Sequence, residues 1–300
     1  MLVEHKINNH LTWVETNRLT DEEKISLLTD YKLPAETIDY VTDIYERSNY
    51  ITDEENGIDL VIIHVPTKLD QDNRYVSRPV SLLTRGNQIF YFNEGESKVN
   101  YEKVKKIALG NQAETPMIFL LEAVNELVDS YLPVLRVISR ERHQLDDLLT
   151  QKVRNKDLVR LSYLQQTLTF LLSATANNLD VLNQIEQSKQ AKSFDDETNE
   201  RLEDAMIEAN QIAHMTEIES GIVDRISQIF DSLMNNNLND TMQFLTLWSL
   251  ALAIPTIITG FYGMNIDLPV NASKYEWVYV VVLSIILMIW LIVMFNKRRK

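Results

Sequence analysis

The sequence predicts an α+β head carrying a long helical hairpin and a stalk helix, followed by two transmembrane α-helices. Three observations lead there. Chain-breaking residues concentrate near the N-terminus, with four of the seven Gly and three of the seven Pro within residues 1–110. Between Pro133 and Pro255 there is no proline, and Gly221 is the only glycine between Gly110 and Gly260, so the middle of the chain must be mostly helix. Apolar stretches of membrane-spanning length are confined to the region after residue 243, a partition that the mean hydropathy of −0.17 conceals.

The head is assigned to residues 1–112. Within it Asp21–Thr29 and 34–45 read as short helices, the first opening on acidic residues that suit a helix N-terminus. Residues 60–65 and Gln88–Phe92 read as strands. The first is an almost continuous apolar run suited to a buried strand. Weaker strand candidates are 48–53 and 76–83.

An antiparallel helical pair is expected over 113–193, with breaks near 153–156 and 188–195 where apolar periodicity lapses. A stalk helix over 194–243 then starts near Asp195 or Asp196; Asp195, Asp196 and Glu197 suit its cap or first turn. Met215, Ile218, Ile222, Ile226, Ile229 and Leu233 recur at three- and four-residue steps as its apolar face. The helix continues into a first span, 244–262, whose 19 residues cover about 28 Å, close to the ~30 Å hydrocarbon core of a bilayer. A loop over 263–276 leads to a second span, 277–296, flanked by Trp277 and Tyr279 at one end and by the basic tail 297–300 at the other. That tail places the C-terminus in the cytoplasm, the loop 263–276 outside, and, after two crossings, the head in the cytoplasm as well. No apolar segment suited to a signal peptide is seen in residues 1–11.

Charge and residue usage narrow the function. The formal charge is −14, the last four residues are all basic, and the other 296 therefore carry −18. So acidic a body argues against a nucleic-acid partner and suits attraction of cations. Absence of cysteine excludes disulfides, thiolate metal sites and cysteine nucleophiles. The five histidines are scattered without zinc-enzyme spacing, and no Walker A loop is present. Neither an enzyme nor an ATP-driven pump is indicated.

Along the first span, Asn239, Met242, Thr246, Ser249, Ala253, Thr256 and Gly260 alternate steps of three and four. Beyond Met242 every member is small or hydroxylated, which suits either close helix packing or a narrow polar passage shared by several copies around an axis. The span ends in Gly263-Met264-Asn265, with a glycine suited to positive φ where the helix must stop. A ring of Asn265 side chains offers neutral amide oxygens, better fitted to hold hydrated Mg²⁺ than to strip it.

The run Pro255-Thr256-Ile257-Ile258-Thr259-Gly260-Phe261-Tyr262-Gly263-Met264-Asn265 resembles the signature of CorA-type magnesium transport proteins. Leu11-Thr12-Trp13-Val14 and Asp129-Ser130-Tyr131-Leu132-Pro133 extend the likeness over nearly the whole chain. The resemblance implies a homopentameric, funnel-shaped channel in the cell membrane, carrying Mg²⁺ and also Co²⁺ or Ni²⁺. It needs no organic cofactor. Implied roles are a selectivity filter at Gly263, Met264 and Asn265, and pore-lining positions at Asn239, Met242 and Thr256. Family spacing puts the hydrophobic constriction at Leu245, where the stripe itself prefers Thr246. Closure by intracellular Mg²⁺ is implied at Asp204, with an acid of the neighbouring head as partner: Glu54, Glu55, Asp70 or Asp72. One departure stands out. The family's Met-Pro-Glu after the turn is replaced by Ile266-Asp267-Leu268-Pro269-Val270, leaving Asp267 or Glu276 as the loop acid. Alternatives are zinc or other metal movement, including efflux, and a two-span membrane sensor or scaffold.

Overall fold

The computed structural model describes residues 2–8, 10–16, 18–69, 74–94, 98–110, 113–150, 154–264 and 276–298. They form two compact units, Met1–Gln228 and Ile229–Lys300.

The first unit is built on a six-stranded sheet of β1 (Leu2–Lys6), β2 (Thr12–Thr16), β3 (Asn49–Asp53), β4 (Ile58–Lys68), β5 (Tyr75–Arg85) and β6 (Gln88–Phe92). The strand order is β1-β2-β6-β5-β4-β3, and β2–β6 is the parallel pairing in an otherwise antiparallel ladder. The expected strands at 60–65 and 76–83 are longer than their apolar runs. Both contain a proline, and each proline stands where its strand has a neighbour on one side only. Pro66 lies beyond the β3 pairing, which ends at Ile62, and Pro79 lies before the β6 pairing, which begins at Ser81. A missing N–H is tolerated at such positions. The β5–β6 hairpin turns tightly through Gly86, whose φ of +54° is costly for a residue with a Cβ. Strands β1 and β2, polar in six of their ten positions, were not anticipated from the sequence.

Helices α1 (Asp21–Thr29) and α2 (Ala35–Thr42) cover one sheet face. Leu27, Leu33, Ile38 and Val41 pack with Leu60, Ile62, Leu83 and Phe90 in one buried cluster. The start of α1 is fixed by a reciprocal cap, Thr20 accepting from the Glu23 N–H while the Glu23 carboxylate accepts from the Thr20 N–H. Helices α4 (Pro116–Asp129), α5 (Tyr131–Asp147) and α6 (Asn155–Glu186) pack on the sheet, and α3 (Lys98–Gly110) packs on α4. Among the described residues the interval 113–193 thus holds three α-helices where two were expected. The extra break falls at Ser130, because Pro133 has no N–H to donate to the Asp129 carbonyl four residues earlier.

Helix α7 (Asp196–Tyr262) is continuous, and α8 (Glu276–Arg298) follows it. Asp195 caps α7 by accepting from the Thr198 N–H at 2.8 Å, and these hydrogen bonds hold its carboxyl below the usual range. The expected apolar face of α7 needs correcting. Ile226 is buried, but Met215, Ile218 and Ile229 are exposed, while Ile222 and Leu233 are half-buried. The buried seam of the first unit's segment instead runs Leu202, Ala205, Ala209, Ile212, Thr216, Val223 and Ile226. Its 3.5-residue period is that of a coiled-coil seam. Small side chains permit close approach, and Thr216 is tolerated inside because its hydroxyl donates to the Ile212 carbonyl at 2.8 Å.

The apolar windows of α7 and α8 are long enough to cross a membrane, and only 6% and 11% of them are buried. Core helices of a soluble protein would be mostly covered.

Candidate functional site

Within the second unit α7 presents two unlike faces. Leu247, Ala251, Ile254 and Ile258 follow steps of four, three and four; Ala251 is buried and the other three are half-buried. Asn239, Met242, Thr246, Ser249, Thr256 and Gly260 are exposed, and Ala253 is intermediate. At 3.6 residues per turn the stripe from Met242 to Gly260 is centred roughly 150° from the covered set. Among the described residues its small members, Ala253 apart, are therefore left uncovered. Leu245 and Thr246, between which the sequence left the expected constriction open, are both exposed and flank the stripe's centre by roughly 60° and 40° on opposite sides.

The hydroxyls of the stripe are oriented by their own helix. Thr246 donates to the Met242 carbonyl at 2.8 Å, Ser249 to Leu245 at 2.8 Å and Thr256 to Leu252 at 2.9 Å. Each proton is thereby satisfied inside the helix, and each oxygen keeps acceptor capacity. Such a surface presents lone pairs rather than donors, which suits a cation and its water shell better than an anion. Pro255 leaves the Ala251 carbonyl without its usual helical donor, yet α7 passes through without a break, as spans can when hydroxyl side chains and neighbouring groups re-satisfy the backbone.

At the end of α7 the Gly263 N–H donates to the Thr259 carbonyl at 2.9 Å. Gly263 does not take the positive φ expected of it, because this bond continues the helical sense for one more residue. A different constraint acts on it: a Cβ there would stand 3.2 Å from the Thr259 carbonyl oxygen, tighter than ordinary contact. Met264 follows and is exposed, while Asn265 and Asp267 lie outside the described residues. Glu276 is the first residue of α8.

In the first unit Asp204 projects from α7 into a cavity of about 570 Å³ between α3, α4 and α7. Lys103, Lys106, Glu122, Asn125, Glu126 and Arg201 line it as well. Lys103 pairs with Glu126 at 3.2 Å and Arg201 with Glu122 at 3.7 Å. The Asn125 Oδ1 is shielded from solvent and has no hydrogen-bond partner among the described residues. An amide oxygen and carboxylates are hard donors of the kind that Mg²⁺ or Ca²⁺ accepts, but among the described residues no three acidic or histidine side chains come together to hold a metal ion. One turn along α7, burial pushes the Glu208 carboxyl up from the usual range, and the hydrogen-bonded carboxyl of Asp129 pushes it further.

Of the candidate head acids, Glu54 and Glu55 sit in the β3–β4 turn and do not line Asp204's cavity; Glu54 pairs there with Lys189 at 3.2 Å. Asp70 and Asp72 lie outside the described residues. The groups around Asp204 come from three helices distant in sequence, and no local motif announced them.

A family model described as CorA-like Mg²⁺ transporter protein matches residues 8–299. The chain belongs to that family. Among curated relatives, the cobalt/magnesium transport protein CorA of Methanocaldococcus jannaschii is 28% identical over 57% of this chain. That match spans 54% of the relative's own length. The magnesium transport protein CorA of Helicobacter pylori (strain 26695) is 21% identical over 97% of this chain and 91% of its own length. The complete structure of the CorA magnesium transporter from M. jannaschii superposes with a TM-score of 0.80 at 20% identity, covering 96% of this chain and 90% of the other. The CorA fold therefore extends over the head, the long helix and both apolar helices.

Proposed function

We propose that the protein is a gated divalent-cation channel of the cell membrane, carrying Mg²⁺ and also Co²⁺ or Ni²⁺, assembled as a ring of five chains. The observation that carries this reading is the outward stripe of α7, whose small and hydroxylated residues face away from the covered side and offer acceptor oxygens. One two-helix chain cannot enclose a passage, whereas a cyclic ring brings identical stripes around an axis. Asn265 forms the outer filter and holds the ion with its water shell, with Gly263 and Met264 shaping the turn. The path continues past Gly260, Thr256, Ala253, Ser249, Thr246, Leu245, Met242 and Asn239. Both termini lie in the cytoplasm, anchored by the basic tail.

The membrane potential drives entry. Moving a doubly charged ion inward gains about 4.6 kcal/mol per 100 mV, with no coupled ion required. Intracellular Mg²⁺ closes the channel by binding Asp204 together with an acid of the neighbouring head. Such binding neutralises repulsion between acidic subunits in the closed state only, a differential affinity that shifts the population.

The deciding experiment is Mg²⁺ influx into liposomes under an inside-negative potential, with Asn265→Ala and Asp204→Ala alongside the unaltered protein. The reading expects influx in the unaltered protein, loss of it in Asn265→Ala, and influx persisting at millimolar internal Mg²⁺ in Asp204→Ala. Absence of influx from folded, oligomeric protein would sink the channel reading and favour a membrane sensor or scaffold. Unchanged inhibition in Asp204→Ala would remove that residue from the gate.

A further inference from the structure

The cavity beside Asp204 contains an imbalance that its ion pairs leave over. Lys103 and Arg201 have their charges compensated by Glu126 and Glu122. Two charged groups remain, Lys106 of α3 and Asp204 of α7. Both are exposed, both line the same cavity, and neither has a hydrogen bond or ion pair with any described residue. They are of opposite sign. A cavity of 570 Å³ is about 10 Å across if taken as a sphere, a span that a lysine's flexible four-carbon stem can narrow by several ångströms.

We propose that Lys106 is a tethered counterion of Asp204, competing with the divalent cation and setting the concentration at which that cation binds there. The inference rests on the reading of Asp204 as a regulatory ligand and adds what tunes it. In the metal-free chain the Lys106 ammonium partly neutralises Asp204. A divalent ion arriving at Asp204 must tolerate that positive charge in the same cavity. The set-point for binding is thus raised by a residue that touches no metal. Lys103 and Arg201 contribute little, because each is paired at short range with its own carboxylate. Lys106 is a positioning residue of the electrostatic kind: removing its charge should tighten binding without altering the ligands.

A unit charge about 10 Å from a divalent ion in a water-like dielectric changes binding roughly fourfold unscreened and roughly 1.5-fold when screened over a Debye length of about 8 Å. The test uses the full-length oligomer in detergent, stripped of divalent ions, and follows chymotrypsin protection and calorimetric binding against Mg²⁺ concentration. Lys106→Met should lower the half-protection concentration roughly 1.5- to fourfold, and Lys106→Arg should leave it where it was. Asp204→Asn should raise it strongly, and in that background Lys106→Met should have no further effect.

If Asp204→Asn leaves the midpoint unchanged, the regulatory reading of Asp204 falls, and this inference with it. If Asp204→Asn moves the midpoint but Lys106→Met does not, the regulatory reading stands and the counterion role is overturned. A Lys106→Met effect that persists undiminished in Asp204→Asn would also overturn it, since Lys106 would then act on some other ion. Lys106 is exposed on α3, so its substitution leaves the core intact, and an unchanged circular dichroism spectrum checks that.

Discussion

Replacing Asn178 by Ala should cost the first unit about 3 kcal/mol, because this one side chain completes the edge of a strand. Strand β3 pairs with β4 only as far as Ile62, so His64 has no strand neighbour on that side. The carboxamide of Asn178, buried on α6, takes the missing place. Its Oδ1 accepts from the His64 N–H at 2.9 Å and its Nδ2 donates to the His64 carbonyl at 2.7 Å. The Ser48 hydroxyl also donates to Oδ1, at 3.0 Å. Truncation orphans the His64 N–H and the Ser48 hydroxyl proton. The His64 carbonyl keeps one partner, the Tyr131 hydroxyl at 2.9 Å. An orphaned interior donor costs about 1–3 kcal/mol and each further lost hydrogen bond about 1 kcal/mol, which sets the total near 3. Hydrogen exchange on the full-length protein in detergent reads this at the residue concerned. The His64 amide should exchange about a hundredfold faster or more, since each 1.4 kcal/mol is a factor of ten. Asn178→Asp should fare little better, as an ionised carboxylate cannot donate to the His64 carbonyl. A change in His64 exchange of less than threefold in Asn178→Ala would refute the strand-completion argument.

Two further predictions concern the ion path and the acidic pair. Ser249→Leu places a bulky side chain on the outward stripe and should abolish Mg²⁺ influx while leaving the oligomer intact on size-exclusion chromatography. Leu247→Met, on the covered face, should keep most of the influx, and equal loss in both would show that the two faces do not differ in role. Glu208→Gln keeps a hydrogen-bonding partner for Asp129 without the second negative charge, and should stabilise α4 against α7 by about 0.5 kcal/mol at neutral pH, the scale of an adjacent like-charge pair. The sign follows from the raised carboxyl of Glu208. Its contribution is fully present below the unfolded pKa of a glutamate and is lost as pH rises through the higher folded value. The stability difference between the variants should therefore shrink in acid, as thermal unfolding measured at several pH values would reveal, and a difference independent of pH would contradict this.

Local signals carried much of the architecture. The capped start of α1 at Asp21, the Gln88–Phe92 strand and the acidic start of α7 at Asp196 stand where the residues put them, because caps, apolar runs and acidic first turns act within a few residues of themselves. The two apolar helices were equally legible, since spanning a bilayer is a demand on composition and length. The signature ending in Gly263-Met264-Asn265 pointed to the family for the same reason: it is contiguous.

Tertiary structure decided what depends on residues far apart. Strands β1 and β2 are short and polar in part, and are held by pairing with one another and with β6 rather than by their own pattern. The buried seam of α7 uses Ala205, Ala209 and Thr216 where the sequence offered the larger Met215 and Ile218. Close approach favours small side chains, and hydrophobicity alone does not reveal how near a neighbour comes. The stripe from Met242 to Gly260 was readable as a period, but its direction was not. Only the covered positions Leu247, Ala251, Ile254 and Ile258 reveal that it faces away from the chain's own packing. Asp204 was named from its distance to the Gly-Met-Asn turn. Its setting, with Lys106 unpaired and Asn125 unsatisfied among the described residues of one cavity, arises from three helices brought together in space. Charge interactions depend on distance in space, and the sequence records only distance along the chain.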